Sequence, residues 1–237
     1  MARIAIKIKI EAKSAVGAWG VREAGILDVA RRLYDARGYE RVSMADVAHA
    51  AGLAEGTLYN YFRDKNDLVI SVSLAALDRN LDEAERIAAT AVNLDDGLRD
   101  LIAYQLRSML AAPEMYRIWL REVKAAEGYG NSRARQALRR FSGQFIAFLN
   151  LWKADIDTQS TFNPAMMRDM LYGGIEQIGW TAIVHGKTRT LDIDTAAGDL
   201  AHAYMAAFGI VPARPRVTTL KRKPAMPPAK KPLRRSL

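Results

Sequence analysis

From Arg22 onward apolar residues recur at helical spacing almost without interruption, and strand-like alternation is confined to residues 3–10. Ile26, Val29, Ala30 and Leu33 fall at i, i+3, i+4 and i+7, and Gly38 offers a left-handed stop, so a first helix is predicted over 22–38. Ser43 supplies an N-cap oxygen, with Val42 and Val47 at the spacing of a hydrophobic staple, which predicts a short helix over about 44–50. Gly52 breaks it, and a third short helix carries Gly56 to Phe62. A longer helix is expected from Lys65 to about Ala91, and Asp95 is expected to cap the next, whose stripe is Leu98, Leu101, Ile102, Gln105 and Met109. Pro113 suits the first turn of another helix. Gly128 to Asn131 read as a turn, after which Leu138, Phe141, Phe145, Phe148 and Trp152 recur at spacings of three and four. Asn163 and Pro164 begin a helix to about Val184, and Asp194 or Thr195 is expected to cap the last, to about Phe208. The fold class is therefore all-α.

Composition changes this picture at the ends. The 237 residues carry a net charge of +9. All of that excess lies beyond residue 211, where nine basic residues (Arg214, Arg216, Lys221, Arg222, Lys223, Lys230, Lys231, Arg234 and Arg235) stand without an acidic one. Six of the eight prolines share that tail, so it is expected to be an extended, solvated arm. Zero cysteines exclude disulfides, thiolate nucleophiles and Cys-based zinc sites. His49, His185 and His202 are scattered without metal-ligand spacing, and there is no Gly-x-Ser-x-Gly elbow or phosphate-cradling glycine loop. No enzyme, metal or cofactor is expected. With no membrane-spanning run and no secretory signal, a cytoplasmic protein is the simplest reading.

Residues 43–62 carry the function. Ala48 is small where two helices must cross closely, Gly52 sits four residues later at the turn, and Leu58 is apolar where the second helix packs back. Together with the preceding helix this combination predicts a DNA-binding helix-turn-helix. The stretch from Val42 to Ala48, then Ala51-Gly52-Leu53 and Gly56 to Lys65, resembles the N-terminal domain of the tetracycline-repressor (TetR) family over roughly residues 22–70. Beyond residue 70 the resemblance is architectural only.

The resemblance implies a three-helix DNA-binding domain followed by a helical domain that binds an effector and dimerises. The corresponding divisions are a basic arm over 1–21, the helix-turn-helix domain over 22–69, the effector and dimerisation domain over 70–211 and the tail over 212–237. A recognition helix presents its N-terminal half to base edges, which selects Glu55, Gly56, Thr57 and Asn60. Thr57 suits a phosphate or a thymine methyl, Asn60 an adenine and Glu55 a cytosine amino group. Tyr59, Tyr61 and Lys65 look like the family's phosphate-contacting positions, and Ser43 is either a phosphate contact or a cap alone. Two features depart from the family: Ala54 cannot cap the recognition helix, and Glu55 places a negative charge where many relatives have a basic or neutral side chain; residues 22–69 together hold seven basic and eight acidic residues. Attraction to the DNA backbone is therefore assigned to the arms.

In the C-terminal part, Met109, Trp119, Phe145, Phe148, Trp152, Met170, Glu176 and Trp180 are the candidate lining of a pocket for a large apolar effector, with ordinary core packing as the alternative. Gly173, Gly174 and Gly179 suggest close backbone approach, either within one chain or across a homodimer formed by about 164–184 and 195–209. The expected partners are double-stranded operator DNA, an effector of unknown identity and a second copy of the chain. The rival reading is a tail-driven binder of nucleic acid or anionic membrane without sequence preference. Deletion of residues 213–237 is expected to flatten the salt dependence of DNA binding while sparing operator choice. A footprinting titration at several salt concentrations checks this.

Overall fold

The structure, a computed structural model, describes residues 20–152 and 163–210; the basic tail and nearly all of the predicted N-terminal arm lie outside them. The described residues form α1 (Val21–Arg37), α2 (Met44–Ala50), α3 (Glu55–Tyr59), α4 (Lys65–Thr90), α5 (Leu94–Ala111), α6 (Pro113–Ile118), α7 (Arg133–Leu151), α8 (Pro164–Val184) and α9 (Ile193–Ala207). A π-helical segment, Trp119–Lys124, continues α6 directly, and a single 3-10 turn, Tyr129–Asn131, precedes α7.

Local chemistry sets most of the boundaries. Gly38 ends α1 with a φ of 78°, a conformation that costs a residue without Cβ little. Asp64 caps α4 by accepting from the Asp67 amide at 2.7 Å, and Pro113 and Pro164 occupy first-turn positions where no amide is required. Two predicted caps are corrected. Asn93, not Asp95, caps α5: its side chain accepts from the Asp96 amide at 2.8 Å and donates to the Asp96 carboxylate at 2.6 Å. Asp95 lies in the first turn and pairs with Arg99 at 3.1 Å. Asp192, not Asp194 or Thr195, caps α9, accepting from both the amide and the hydroxyl of Thr195. In each case the residue after the cap, Leu94 or Ile193, is drawn against the core, so the helix starts earlier. The third helix is also shorter than predicted. Its regular bonding stops at Tyr59, and the amides of Tyr61 and Phe62 both donate to the carbonyl of Leu58.

Packing divides the apolar residues between an N-terminal core and a larger C-terminal one. The first joins Ile26, Leu27, Ala30 and Tyr34 of α1 to Val47, Leu58, Phe62, Leu68 and Val72, with Met115 and Ile118 of α6 completing it. The second joins α5, α7, α8 and α9 through residues such as Leu98, Ile102, Phe145, Phe148, Leu171, Ala201 and Tyr204. Helix α4 serves both ends. It is buried all round from Ser71 to Ala75, and the two buried serines are satisfied by donating to the carbonyls of Asp67 and Val69.

The glycines of α8 do different things. A Cβ on Gly179 would collide with the Met109 side chain, and one on Gly174 would lie 3.1 Å from Leu200, whereas Gly173 faces open space. Gly97 is the tightest site on α5: a Cβ there would sit 2.7 Å from the Ala91 Cβ and 2.8 Å from the Phe148 ring. Gly97→Ala should therefore destabilise the protein by about 1–3 kcal/mol, reversing the gain of helix propensity that alanine brings at an open site. Urea unfolding midpoints of the two proteins measure this.

Candidate functional site

The helix-turn-helix is built from a few satisfied interactions. Ser43 caps α2 by accepting from the Asp46 amide at 3.1 Å, while the Asp46 carboxylate accepts from the Ser43 amide at 2.8 Å and its hydroxyl at 2.6 Å. Val42, Val47 and Ala48 are buried beneath it. Gly52 makes the turn with a φ of 68°, and the Leu53 amide returns to the Ala48 carbonyl at 2.9 Å. Leu58 and Phe62, at 0% and 1% exposure, anchor the recognition helix to α1 and α4.

With Leu58 held inward, α3 turns Glu55, Gly56, Tyr59 and Asn60 to solvent and leaves Thr57 half-buried. These predicted DNA-contact positions are thus brought to one end of the molecule. Tyr61 is half-buried and tilted on Phe62, with ring centroids 6.4 Å apart. Lys65 turns back to the protein: its ammonium donates to the Glu40 carbonyl at 3.3 Å and lies 4.2 Å from the centre of the Tyr39 ring. Ala54 gives α3 no side-chain cap. Arg63, whose side chain is 85% exposed, is a cation beside the recognition helix that helical periodicity does not single out.

Charge around α2 is arranged by the cap. The Ser43 hydroxyl and then its amide hold the Asp46 carboxyl below the usual carboxylate range, and Arg37 lies 3.7 Å away. Burial pushes the Asp35 carboxyl the other way, partly offset by its 3.0 Å pair with Arg31.

A second site lies inside the helices, a cavity of about 590 Å³, within the ordinary range for small-molecule sites. Its wall is contributed by α1, α4, α5, α6, the π-helical segment, α7 and α8. Of the predicted lining residues, Met109, Trp119 and Glu176 do line it. Phe145 and Phe148 are fully buried in the C-terminal core, Trp152 packs against that core, and Trp180 packs on Tyr116 at 6.4 Å. Met170 is 53% exposed on the outer face of α8. Gln105, on the predicted stripe of α5, lines it as well, and the polar lining that periodicity does not single out includes Arg31, Asn80, Ser108 and Arg135. Asn80 accepts from Tyr104 at 2.9 Å and from Ser108 at 3.1 Å, tying α4 to α5. Among the described residues no three His, Asp or Glu side chains converge as metal ligands, and no helix is long and apolar enough to cross a membrane.

These two sites on one helical frame define a helix-turn-helix DNA-binding transcriptional regulator. Residues 26–72 match the model of the bacterial regulatory proteins of the tetR family, which makes this stretch a DNA-binding domain of that type. It is 27% identical over 160 residues to the HTH-type transcriptional regulator BetI of Rhizobium meliloti, spanning 66% of this chain and 79% of BetI. Its fold is similar to that of the fatty acid degradation regulator FadR of Bacillus halodurans, with a TM-score of 0.68 at 18% identity over 81% of this chain and 98% of that one. It is also similar to FadR of Bacillus subtilis in complex with stearoyl-CoA, with a TM-score of 0.61 at 17% identity over 76% and 96% of the two chains.

Ser43→Ala should lower stability by about 1 kcal/mol at neutral pH through loss of the cap. A depressed carboxyl adds stability above its ordinary pKa and loses it as pH falls through the lower folded value. The difference between the two proteins should therefore shrink once Asp46 is protonated, which thermal melts at pH 7 and at strongly acidic pH compare directly.

Proposed function

We propose that the protein is a dimeric repressor that occupies a pseudo-palindromic operator through residues 22–69 and leaves it when a small molecule enters the cavity, whose wall is mainly residues 70–211 and also includes Asp28 and Arg31 of α1. The observation that carries this reading is the continuity between the cavity and the DNA-facing end. Trp119 lines the cavity, and five residues on, Lys124 pairs with the lining residue Glu176 at 2.6 Å. Between them Arg121 reaches Glu40 at 3.2 Å, and the carbonyl of that same residue holds Lys65 at the start of α4. A ligand that moves the π-helical segment thereby pulls on the connection between α1 and α2.

In this reading Glu55, Gly56, Thr57 and Asn60 read base edges, while Ser43, Tyr59, Tyr61 and Lys65 position the backbone. Lys65 retains two ammonium protons for a phosphate. The exposed apolar positions Met166, Met170 and Val184 of α8, together with the exposed alanines 203, 206 and 207 of α9, support pairing of two subunits through these helices. A two-fold axis there sets the spacing of two recognition helices to one turn of DNA or a multiple of it. The stearoyl-CoA bound to Bacillus subtilis FadR supports a large, mainly apolar effector.

Mobility shifts with the DNA upstream of its own gene test the core of this reading. The intact protein should prefer one pseudo-palindrome, and Thr57→Ala or Asn60→Ala should each weaken that preference by roughly tenfold, the size of a lost base contact of about 1–3 kcal/mol. No sequence preference at any salt concentration would sink the proposal. Arg121→Ala should leave operator binding intact while blunting its release by ligand.

A further inference from the structure

Every carboxylate that lines the cavity already has a cation. Asp28 is paired with Arg31 at 3.1 Å and Arg32 at 2.6 Å, Asp169 with Arg168 at 2.7 Å, and Glu176 with Lys124 at 2.6 Å. Two lining arginines, Arg79 and Arg135, form no ion pair among the described residues. They differ in setting. Arg79 is exposed, so water solvates it, and it shares the field of Asp78 with Arg140. Arg135 is half-buried on the same stripe of α7 as the lining residues Leu138 and Ser142.

A second observation lies beside Arg135. The hydroxyl of Tyr129 is buried and has no hydrogen-bond partner, although it is within electrostatic reach of both Arg135 and Glu176. Its ring stands edge-on to the cavity-lining Trp119 at 6.3 Å. Burial raises this phenol's pKa, so it stays protonated and able to donate. A guanidinium without a carboxylate and a buried hydroxyl without an acceptor both lack the same thing, an anionic oxygen. The charges at the α7–α8 end of the cavity support that: Arg135, Lys124 and Arg168 stand against Glu176 and Asp169, one negative charge short.

We propose that the effector is an amphipathic anion, with an apolar body lying along Met109, Trp119, Leu138, Phe141 and Ile175 and a carboxylate or phosphoryl end held by Arg135, with the Tyr129 hydroxyl, buried behind the lining beside Trp119, as a further donor once the head group displaces the wall there. This rests on the cavity being the effector site. The apolar wall fixes the body by burial, and the arginine selects the sign of the head group. A neutral or cationic amphiphile of the same length leaves the guanidinium and the hydroxyl desolvated without a partner, so it binds less well.

Calorimetry on the full chain, without DNA and below micelle-forming concentrations, tests this with straight-chain probes of 8 to 16 carbons in four forms: carboxylate, alkyl phosphate, alcohol and trimethylammonium. At the best-fitting length an anion should bind at least about tenfold tighter than the alcohol, the size of one charge-assisted hydrogen bond, and the cation should bind more weakly than either. The ratio of carboxylate to phosphate affinity distinguishes the two head groups. Arg135→Gln should collapse the anion-to-alcohol ratio towards one while leaving alcohol binding unchanged, Tyr129→Phe should reduce it by a few fold, and Arg139→Gln, an exposed arginine of the same helix outside the lining, should not change it. A purely structural role for Arg135 would weaken anion and alcohol alike. An alcohol or cation that binds as tightly as the anions, an anion preference that survives Arg135→Gln, or no binding by any probe overturns the proposal. Operator release is scored separately by mobility shift. Anions that bind through Arg135 without releasing DNA leave this inference standing and remove the ligand-released repressor instead.

Discussion

The burial of α4 on all sides from Ser71 to Ala75 is the constraint on which the rest depends. Leu68, Val69 and Val72 fill the N-terminal core, Leu74 packs with Val123, Ala134 and Ala137, and Ala76, Leu77 and Asn80 face the cavity. A helix buried at consecutive positions cannot turn or slide without changing more than one set of neighbours, since close-packed interiors have few alternative arrangements. Its ends are pinned as well. Asp67 in its first turn accepts from Arg133 of α7 and from the Arg63 amide, and near its far end Glu85 accepts from Gln144 at 2.9 Å. The helix-turn-helix thus packs on the first turns of a helix whose middle is a wall of the cavity.

Polar contacts crossing between the two cores are few and specific. Arg31 bonds Asp28 and Asp35 within α1 and also lines the cavity, and Arg121 connects the π-helical segment to Glu40. These pairs are partly exposed, and such contacts contribute little to net stability. In the proposed release by ligand their significance is directional: Arg121 would carry a movement at the cavity to the connection that positions α2 and α3. The helix-turn-helix itself is slightly acidic, with Glu55 in the first turn of the recognition helix. In the proposed DNA complex, few cations of residues 22–69 are free for the DNA backbone, so part of the affinity would come from cations outside them.

Much of the N-terminal half is legible from local chemistry. Ser43 with Asp46, Gly38, Gly52 and the apolar Leu58 and Phe62 each satisfy a requirement of the chain within a few residues, so their roles survive without knowledge of distant contacts. The cavity is different. Its polar lining residues Asn80, Ser108 and Arg135 come from three helices, and each sits in a segment where a polar residue also suits the solvent side. Only tertiary packing brings them to one wall. The aromatic stripe of α7 is a converse case: Phe145 and Phe148 bury against α5, α8 and α9 as core, with the close approach of Gly97 making room for Phe148. The π-helical segment contains no glycine or proline to mark it.

The cavity wall reaches α1 itself, through Asp28 and Arg31. A ligand that loosens the hold on DNA by a given factor must, by the mutual nature of coupling between two binding sites, have its own affinity lowered by that factor when DNA is bound. The unbound protein is then the better receptor and the operator-bound one the poorer. Under the proposed release by ligand, nonspecific DNA that engages the same helices would make the receptor poorer too, so the ligand concentration needed would be set partly by how much DNA surrounds the protein and not by the cavity alone.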